Sequence, residues 1–311
     1  MGDRIVKKGL SFRWIALALF GACALVAAIA YLRAPPTKQL STERLERRIK
    51  NVDADPRWVV EYTPEKMAWI QQLFSQPFYY LGQGRQCHAY VSQDGEYVVK
   101  FFLQKPLILK SRFANLPDAF PFTLLKQYKT NLRIQRKNNL FSSCLISYER
   151  APEQTGIVFV HLNPVKGVFP TMLFMDRSHN PCTIQLDDTQ FVVQKRAHLL
   201  KTAIAECMWS GDVAGAEARV SQALELLYEC AKLGVVDVDP GLFRNDNIGL
   251  LEDRAIYIDT GKLRYMPEKQ TKEAFVEDLK RLDPFCKWLS KYYPELATYY
   301  ETREKELIDS F

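Results

Sequence analysis

The sequence predicts an α+β domain held behind one apolar, membrane-spanning helix, and three observations carry that reading. Residues 14–32, WIALALFGACALVAAIAYL, run nineteen positions without a charge. Residues 78–102 alternate strand-forming segments with glycine-bearing turns. Residues 220–233 place Ala223, Leu224, Leu226, Leu227 and Cys230 on one helical face, and short aliphatic segments follow Gly234. The chain has 311 residues, 47% hydrophobic and 25% charged, which is ordinary globular composition with enough apolar surface to bury a core.

The N-terminal run is long enough to cross a bilayer core as a helix. It has no polar face, which rules against a buried soluble helix. A cleaved signal peptide, ending near Ala28 and Ala30, is the alternative, but its apolar core is ordinarily shorter. Residues 1–13 form a basic N-terminal segment with Arg4, Lys7, Lys8 and Arg13. Six Lys/Arg follow the run within eighteen residues: Arg33, Lys38, Arg44, Arg47, Arg48 and Lys50. Counted by the positive-inside rule, they place the large domain in the cytoplasm. Residues 33–60 read as a juxtamembrane linker, opened by Ala34-Pro35-Pro36 and carrying a short charged helix over 43–50. It serves as a solvated spacer or touches anionic lipid. The soluble domain is expected over 61–311.

Composition narrows the chemistry. A net charge of +6 and a pI near 8.8 suit anionic partners such as a nucleotide or a membrane surface, and nucleic acid is not expected. The seven cysteines are scattered without a CxxC pair, as reduced thiols in a cytosolic-side domain are. Four histidines make no zinc spacing with them.

Residues 78–102 read FYYLGQGRQCHAYVSQDGEYVVKFF. Strand character falls around 79–81 and 88–91, Gln93-Asp94-Gly95 is a turn, and 96–102 returns as a strand. Gly82 and Gly84 stand where the first two strands turn, so backbone N–H groups there can approach phosphate oxygens unobstructed. Lys100, in a Val-Val-Lys-Phe setting on the third strand, can neutralise phosphate charge.

After the helix of 220–233 the chain reads VVDVDPGLFRNDNIGLLEDRAIYIDTGKL. Together the two segments resemble the protein-kinase-like superfamily. The resemblance covers roughly residues 75–285. It implies a two-lobed protein-kinase-like fold with a small C-terminal lobe, the N-lobe over about 75–197 and the C-lobe over about 198–311. It implies ATP and Mg2+ as cofactors. Gly82, Gly84 and Lys100 then bind nucleotide. Asp237, Val238 and Asp239 occupy the His-Arg-Asp positions, with Asp239 as catalytic base. Asn247 and Asp259, of Asp259-Thr260-Gly261, become the metal ligands. Phosphoryl transfer asks for this set, because it is mostly positioning and charge neutralisation. Magnesium takes hard oxygen donors, and an aspartate at the acceptor hydroxyl orients it and takes its proton.

The chain departs from the pattern in four places. Cys87 replaces the third loop glycine. Asp239 to Asn247 is eight steps where the family has five, and Leu242 stands at the usual base position, so Asp237 and Asp246 are alternative bases. No glutamate lies between Phe101 and Tyr148 to pair with Lys100; a helix over 122–137 offers Gln127 or Gln135 instead. No Ala-Pro-Glu follows Gly261, and fifty residues remain, which reduces the platform for protein substrates.

In the middle of the chain, residues 145–151, 156–162, 171–175 and 189–197 read as strands. Phe191-Val192-Val193-Gln194-Lys195 is taken as the strand entering the interlobe hinge, with the Gly156 strand as its rival. From Lys100 to Lys137 there are nine Lys/Arg against Asp118 alone, either a solvated face or a patch for anionic lipid, phosphates or an acidic partner. The resemblance leaves two functions: a membrane-tethered ATP/Mg-dependent phosphotransferase acting on a small molecule, lipid or glycan, or a pseudokinase used as a nucleotide-binding or scaffold module. A tethered interaction domain with fortuitous motifs is the third reading.

Overall fold

A computed structural model describes residues 45, 46, 49, 50, 54–84, 86–104, 118–239 and 247–311. The expected span at 14–32 lies outside them, as does Asp246; among the described residues no helix is long and apolar enough to cross a membrane. The described residues belong to one compact α+β unit, Ser41–Phe311.

A seven-stranded sheet forms one layer. Its strands are β1 (Phe78–Gln83), β2 (Cys87–Ser92), β3 (Tyr97–Phe102), β4 (Ile157–His161), β5 (Thr171–Met175), β6 (Pro181–Gln185) and β7 (Phe191–Lys195). They are ordered β4-β7-β3-β2-β1-β5-β6. Only β1 and β5 pair in parallel; the other neighbours are antiparallel. In β2, β5 and β6 the buried positions alternate, so each pleat packs one face inward, whereas β3, β4 and β7 are apolar and buried at successive positions, on both faces. Phe78, Tyr90, Phe101, Phe159, Phe174 and Phe191 are fully buried; Tyr90 meets Phe101 and Phe174 edge-on, Phe191 stacks on Phe159 and tilts against Phe101, and Phe78 tilts against Phe74. The turn from β2 to β3 uses Gly95 at φ +81°, and the Asp94 carboxylate accepts from Ser92 Oγ and from the Glu96 N–H.

Two helices cover the sheet. α1 (Pro64–Leu73) starts on Thr63, whose side chain accepts the Lys66 N–H, with proline in its first turn. α2 (Phe122–Glu149) is 28 residues long. Its second half buries Leu140, Phe141 and Cys144 against Ile157, Val160 and Val192. Residues 145–149, expected as a strand, are the end of this helix. Their apolar positions continue its stripe against the sheet, and tertiary packing overrides the local β-propensity. The part of the linker nearest the domain also packs into it: Trp58 is buried edge-on to Phe141, and Asn163 brackets Asp55 by two hydrogen bonds.

The second layer is mostly helical. After the short α3 (Pro152–Thr155) and β8 (His198–Leu199) come α4 (Leu200–Ser210) and α5 (Val213–Leu233). α5 buries Val220, Ala223, Leu224, Leu227 and Cys230 in the second core. Asp212 caps its start, and Gly234, at φ +69°, closes its end with N–H bonds to Cys230 and Ala231 carbonyls. Three short strands follow, β9 (Val235–Asp237), β10 (Ile248–Leu250) and β11 (Ala255–Tyr257), then β12 (Leu263–Tyr265). β10 pairs with β11 and β8, and β12 pairs with β9. The chain ends with α6 (Lys272–Leu279), α7 (Asp283–Tyr292) and α8 (Pro294–Ser310). Phe275, Phe285, Leu296 and Tyr300 from these helices complete the second core.

Candidate active site

β3 lies between β2 and β7, with Lys100 opposite Ala89 on one side and Val192 on the other. A lysine placed there has apolar backbone neighbours on both flanks, so its ammonium must find partners beyond the sheet. Lys100 Nζ donates to the Ile258 carbonyl at 2.6 Å, a residue 158 positions away and next to Asp259. Burial pushes the Lys100 ammonium below the usual lysine range, against the opposing influence of Cys87, Asp259 and Cys144.

Two cavities meet at Lys100 and Ile258. The first, about 600 Å³, is predominantly apolar and lined by Leu81, Ala89 and Val98 from the sheet and by the Lys195–Leu199 connection. β7 pairs with β3 and leads into that connection, while the Gly156 strand becomes β4, one place further out. Gln194 ties β7 across the layers by donating to the Thr155 carbonyl at 2.6 Å and the Tyr257 carbonyl at 2.8 Å. Gly249 makes this crossing close: a Cβ on it would sit 2.5 Å from Ala197 Cβ.

The second cavity, about 300 Å³, is lined by Gly84, Cys87, Leu140, Cys144, Asp259 and Lys262, among others. Gly82 lies at an irregularity in the pairing of β1 with β2, and Gly84 N–H bonds the Cys87 carbonyl. Neither needs glycine for its own backbone. Neither has a positive φ, and a Cβ would meet nothing within 4 Å at Gly82 and only ordinary contacts with Cys87 at Gly84. The space in front of them stays open for a ligand's approach.

Asp259 is exposed, and its Oδ1 accepts the Gly261 N–H at 3.1 Å. The β10–β11 hairpin puts Asn247 opposite Ile258, the residue before Asp259: the Asn247 carbonyl accepts the Ile258 N–H at 2.7 Å. One carboxylate and one amide are too few oxygen donors for a protein-only metal cage, but they suit magnesium that also binds phosphate and water. Among the described residues no cluster of three His, Cys, Asp or Glu could hold a metal.

Asp237 and Asp239 occupy different environments. Asp237 ends β9, fully buried, and its Oδ1 accepts the Asp239 N–H at 2.7 Å. Among the described residues its Oδ2 has no hydrogen-bond partner, with Arg281 Nη2 3.9 Å away. Burial raises its carboxyl to about 6, opposed by the Asp239 N–H and by Arg281. Asp239 is partly exposed and forms an ion pair with Lys262 at 2.8 Å. Arg281, just past α6, donates to the Asp239 carbonyl at 2.7 Å and so holds the end of the loop.

The structure corrects the expected partners of Lys100. Gln127 and Gln135 are exposed on the part of α2 that extends past the sheet. The helix residues that reach the second cavity are Leu140 and Cys144. Position decides this, because residues 140 and 144 fall on the stripe that packs inward, and 127 and 135 do not. No carboxylate on the described helix takes the usual ion-pairing role. Burial instead raises the Cys144 thiol, so it stays neutral beside Lys100.

Four residues without a motif also shape the site. The Ser143 hydroxyl donates to the Thr260 carbonyl and accepts the Leu263 N–H at 2.6 Å, clamping the segment that carries Asp259. Gln194, Lys262 and Arg281 complete the set. Their only sequence signal is polarity inside otherwise apolar or motif-bearing segments.

No protein-family model matches the chain, and no curated protein matches it. Among the solved structures it resembles is the bifunctional kinase-methyltransferase WbdD, at 16% identity over 71% of this chain and with a TM-score of 0.31. The chain spans 43% of that protein's length, and a superposition this loose carries no argument about activity.

Proposed function

We propose that the chain is an ATP- and Mg2+-dependent phosphotransferase of the kinase-like kind, tethered to a membrane by residues 14–32. The observation that carries this reading is Lys100: a half-buried β3 lysine bonded to the residue before Asp259, between a larger apolar cavity and a smaller one that Asp259 and Lys262 line. The apolar cavity suits an adenine ring, with the Lys195–Leu199 connection offering backbone groups to its edge. The smaller cavity suits phosphates, with Lys100 and Lys262 in its lining beside Gly84, whose missing side chain leaves room.

In this reading Lys100 neutralises phosphate charge, and Asn247 with Asp259 would hold magnesium. The metal would supply charge neutralisation across the phosphates. Asp239 orients the acceptor hydroxyl and takes its proton. It is better placed for this than Asp237, which is buried and occupied by the backbone of Asp239 itself.

A pseudokinase is favoured by one specific observation: Lys100 lacks a carboxylate partner on α2. Nucleotide binding to the full-length chain in neutral detergent, with and without Mg2+, tests the primary reading. Saturable binding that strengthens with Mg2+ and collapses in Lys100→Met supports it; binding indifferent to that substitution sinks it. Binding without turnover against lipid, sugar, protein or itself would favour the pseudokinase. The tether is tested separately. The protein should resist alkaline extraction from membranes, and deletion of residues 1–34 should release it; a mature N-terminus after Ala30 would show cleavage instead.

A further inference from the structure

α2 carries one stripe in two chemistries. Positions 126, 129, 133, 136, 140, 143 and 147 follow a three-four spacing that keeps them on one helical face. In the second half this face is Leu140, Ser143 and Ser147, all buried. In the first half the same face is Lys126, Lys129, Arg133 and Arg136, with Lys137 beside them. The five cations thus sit on the side of the helix that leads to the cavity of Asp259 and Lys262, reached through Leu140. Large apolar residues, Leu124 and Tyr128 among them, are exposed elsewhere on the helix.

Little on this stretch balances the charge. The one acid from 118 to 139 is Asp118, which pairs with Lys126 at 2.6 Å. Lys137 rests over the Phe141 ring and feels Asp55, a carboxylate that Arg57 already holds at 2.6 Å. Arg133 Nη1 is shielded from solvent and has no acceptor among the described residues. Burial depresses its guanidinium, and Arg136 adds like-charge repulsion. Arg133, Arg136 and Lys137, without an ion pair among the described residues and with Arg133 partly desolvated, make a site for an anion. Arg264 continues it toward the cavity, donating to the Asn139 carbonyl at 3.1 Å.

Resting on the phosphotransferase reading, we propose that the acceptor carries an anionic group of its own, a phosphate or carboxylate, which docks on Arg133, Arg136 and Lys137 while its hydroxyl meets Asp239. Seven residues separate Arg133 from Leu140, so that group lies on the order of 10 Å from the cavity along the helix axis. An oligosaccharide or a glycolipid headgroup of a few units spans that distance.

The test uses the full-length chain in neutral detergent with its nucleotide site filled by ADP and Mg2+. A sulfated heparin-type pentasaccharide serves as anionic probe and maltopentaose as neutral control. The anionic probe should bind and the neutral one should not. The triple variant Arg133→Gln, Arg136→Gln, Lys137→Gln should lose about tenfold or more in probe affinity while ADP affinity and thermal midpoint hold. Equal probe affinity in the variant, or no probe binding by the wild type, overturns the proposal and leaves the phosphotransferase reading standing. Failure of ADP to bind removes both; probe binding that persists without it would mark a docking surface unconnected to transfer. Nanodiscs of phosphatidylcholine alone, compared with discs that include phosphatidylglycerol, separate the sources. Competition by the anionic disc identifies a lipid headgroup, and its absence a soluble glycan.

Discussion

On the sheet side of the cleft, Gly82 and Gly84 border open space, and their backbones would accept a side chain without strain. On the opposite side the polar groups already have protein partners. Asp239 holds Lys262, Asp237 accepts the Asp239 N–H, Arg281 holds the Asp239 carbonyl, and Ser143 clamps the Asp259 segment. The difference separates two kinds of residue. On the first side a residue type is unexplained until a ligand is supplied. On the second, the network explains itself, and a ligand must compete with it. Lys262 is the group a ligand would displace or recruit.

The largest effect tests the second side. Asp239→Asn should leave nucleotide affinity nearly intact and reduce transfer by a factor on the order of 10² to 10⁴, the range for losing a general base. If Asp237→Asn abolishes transfer and Asp239→Asn does not, the base lies at the buried position instead.

Asp237 also makes a stability prediction. Its folded carboxyl titrates near 6, above the unfolded value of 3.8, so it destabilises the fold once ionised. Stability from this group is full below the unfolded value and is lost as pH rises through about 6. Asp237→Asn mimics the neutral form. It should match wild type in thermal or urea unfolding at acidic pH and exceed it above neutral pH by on the order of 2–3 kcal/mol. A gain at acidic pH and none at neutral pH would contradict the burial account.

Gly249→Ala probes the contact between the layers. The added methyl would fall 2.5 Å from Ala197 Cβ and 2.8 Å from Ile258 Cδ1. It should destabilise by about 1–3 kcal/mol, as overpacking does, and weaken nucleotide binding because Ala197 and Ile258 both line the apolar cavity. Urea midpoints and nucleotide titration read the two consequences.

The smallest effect on stability belongs to Gly82→Ala. With nothing within 4 Å of the new Cβ, the thermal midpoint should barely move. Nucleotide affinity should fall severalfold, because the methyl intrudes on the phosphate approach. A variant that binds nucleotide like wild type would show that the open space serves no ligand.

The strands β1 to β3, the helix ending at Gly234 and the β10–β11 hairpin were legible in the sequence, because each is set by local pattern: alternation, periodicity and glycine stops. The length of α2 was not, since residues 145–149 carry β-forming side chains and only packing against the sheet holds them helical. Nor was the destination of β5 and β6, which lie between β4 and β7 in sequence yet pair at the far edge on β1. By itself the sequence determined which residue types were available: an uncharged run at 14–32, glycines before a strand lysine, and carboxylates after buried strands. Tertiary structure alone decided that Cys144 faces Lys100, that Lys262 meets Asp239 and that Arg281 reaches both aspartates. These contacts join positions 23 to 44 residues apart, and no local propensity encodes a distance that only the packing of two layers can close.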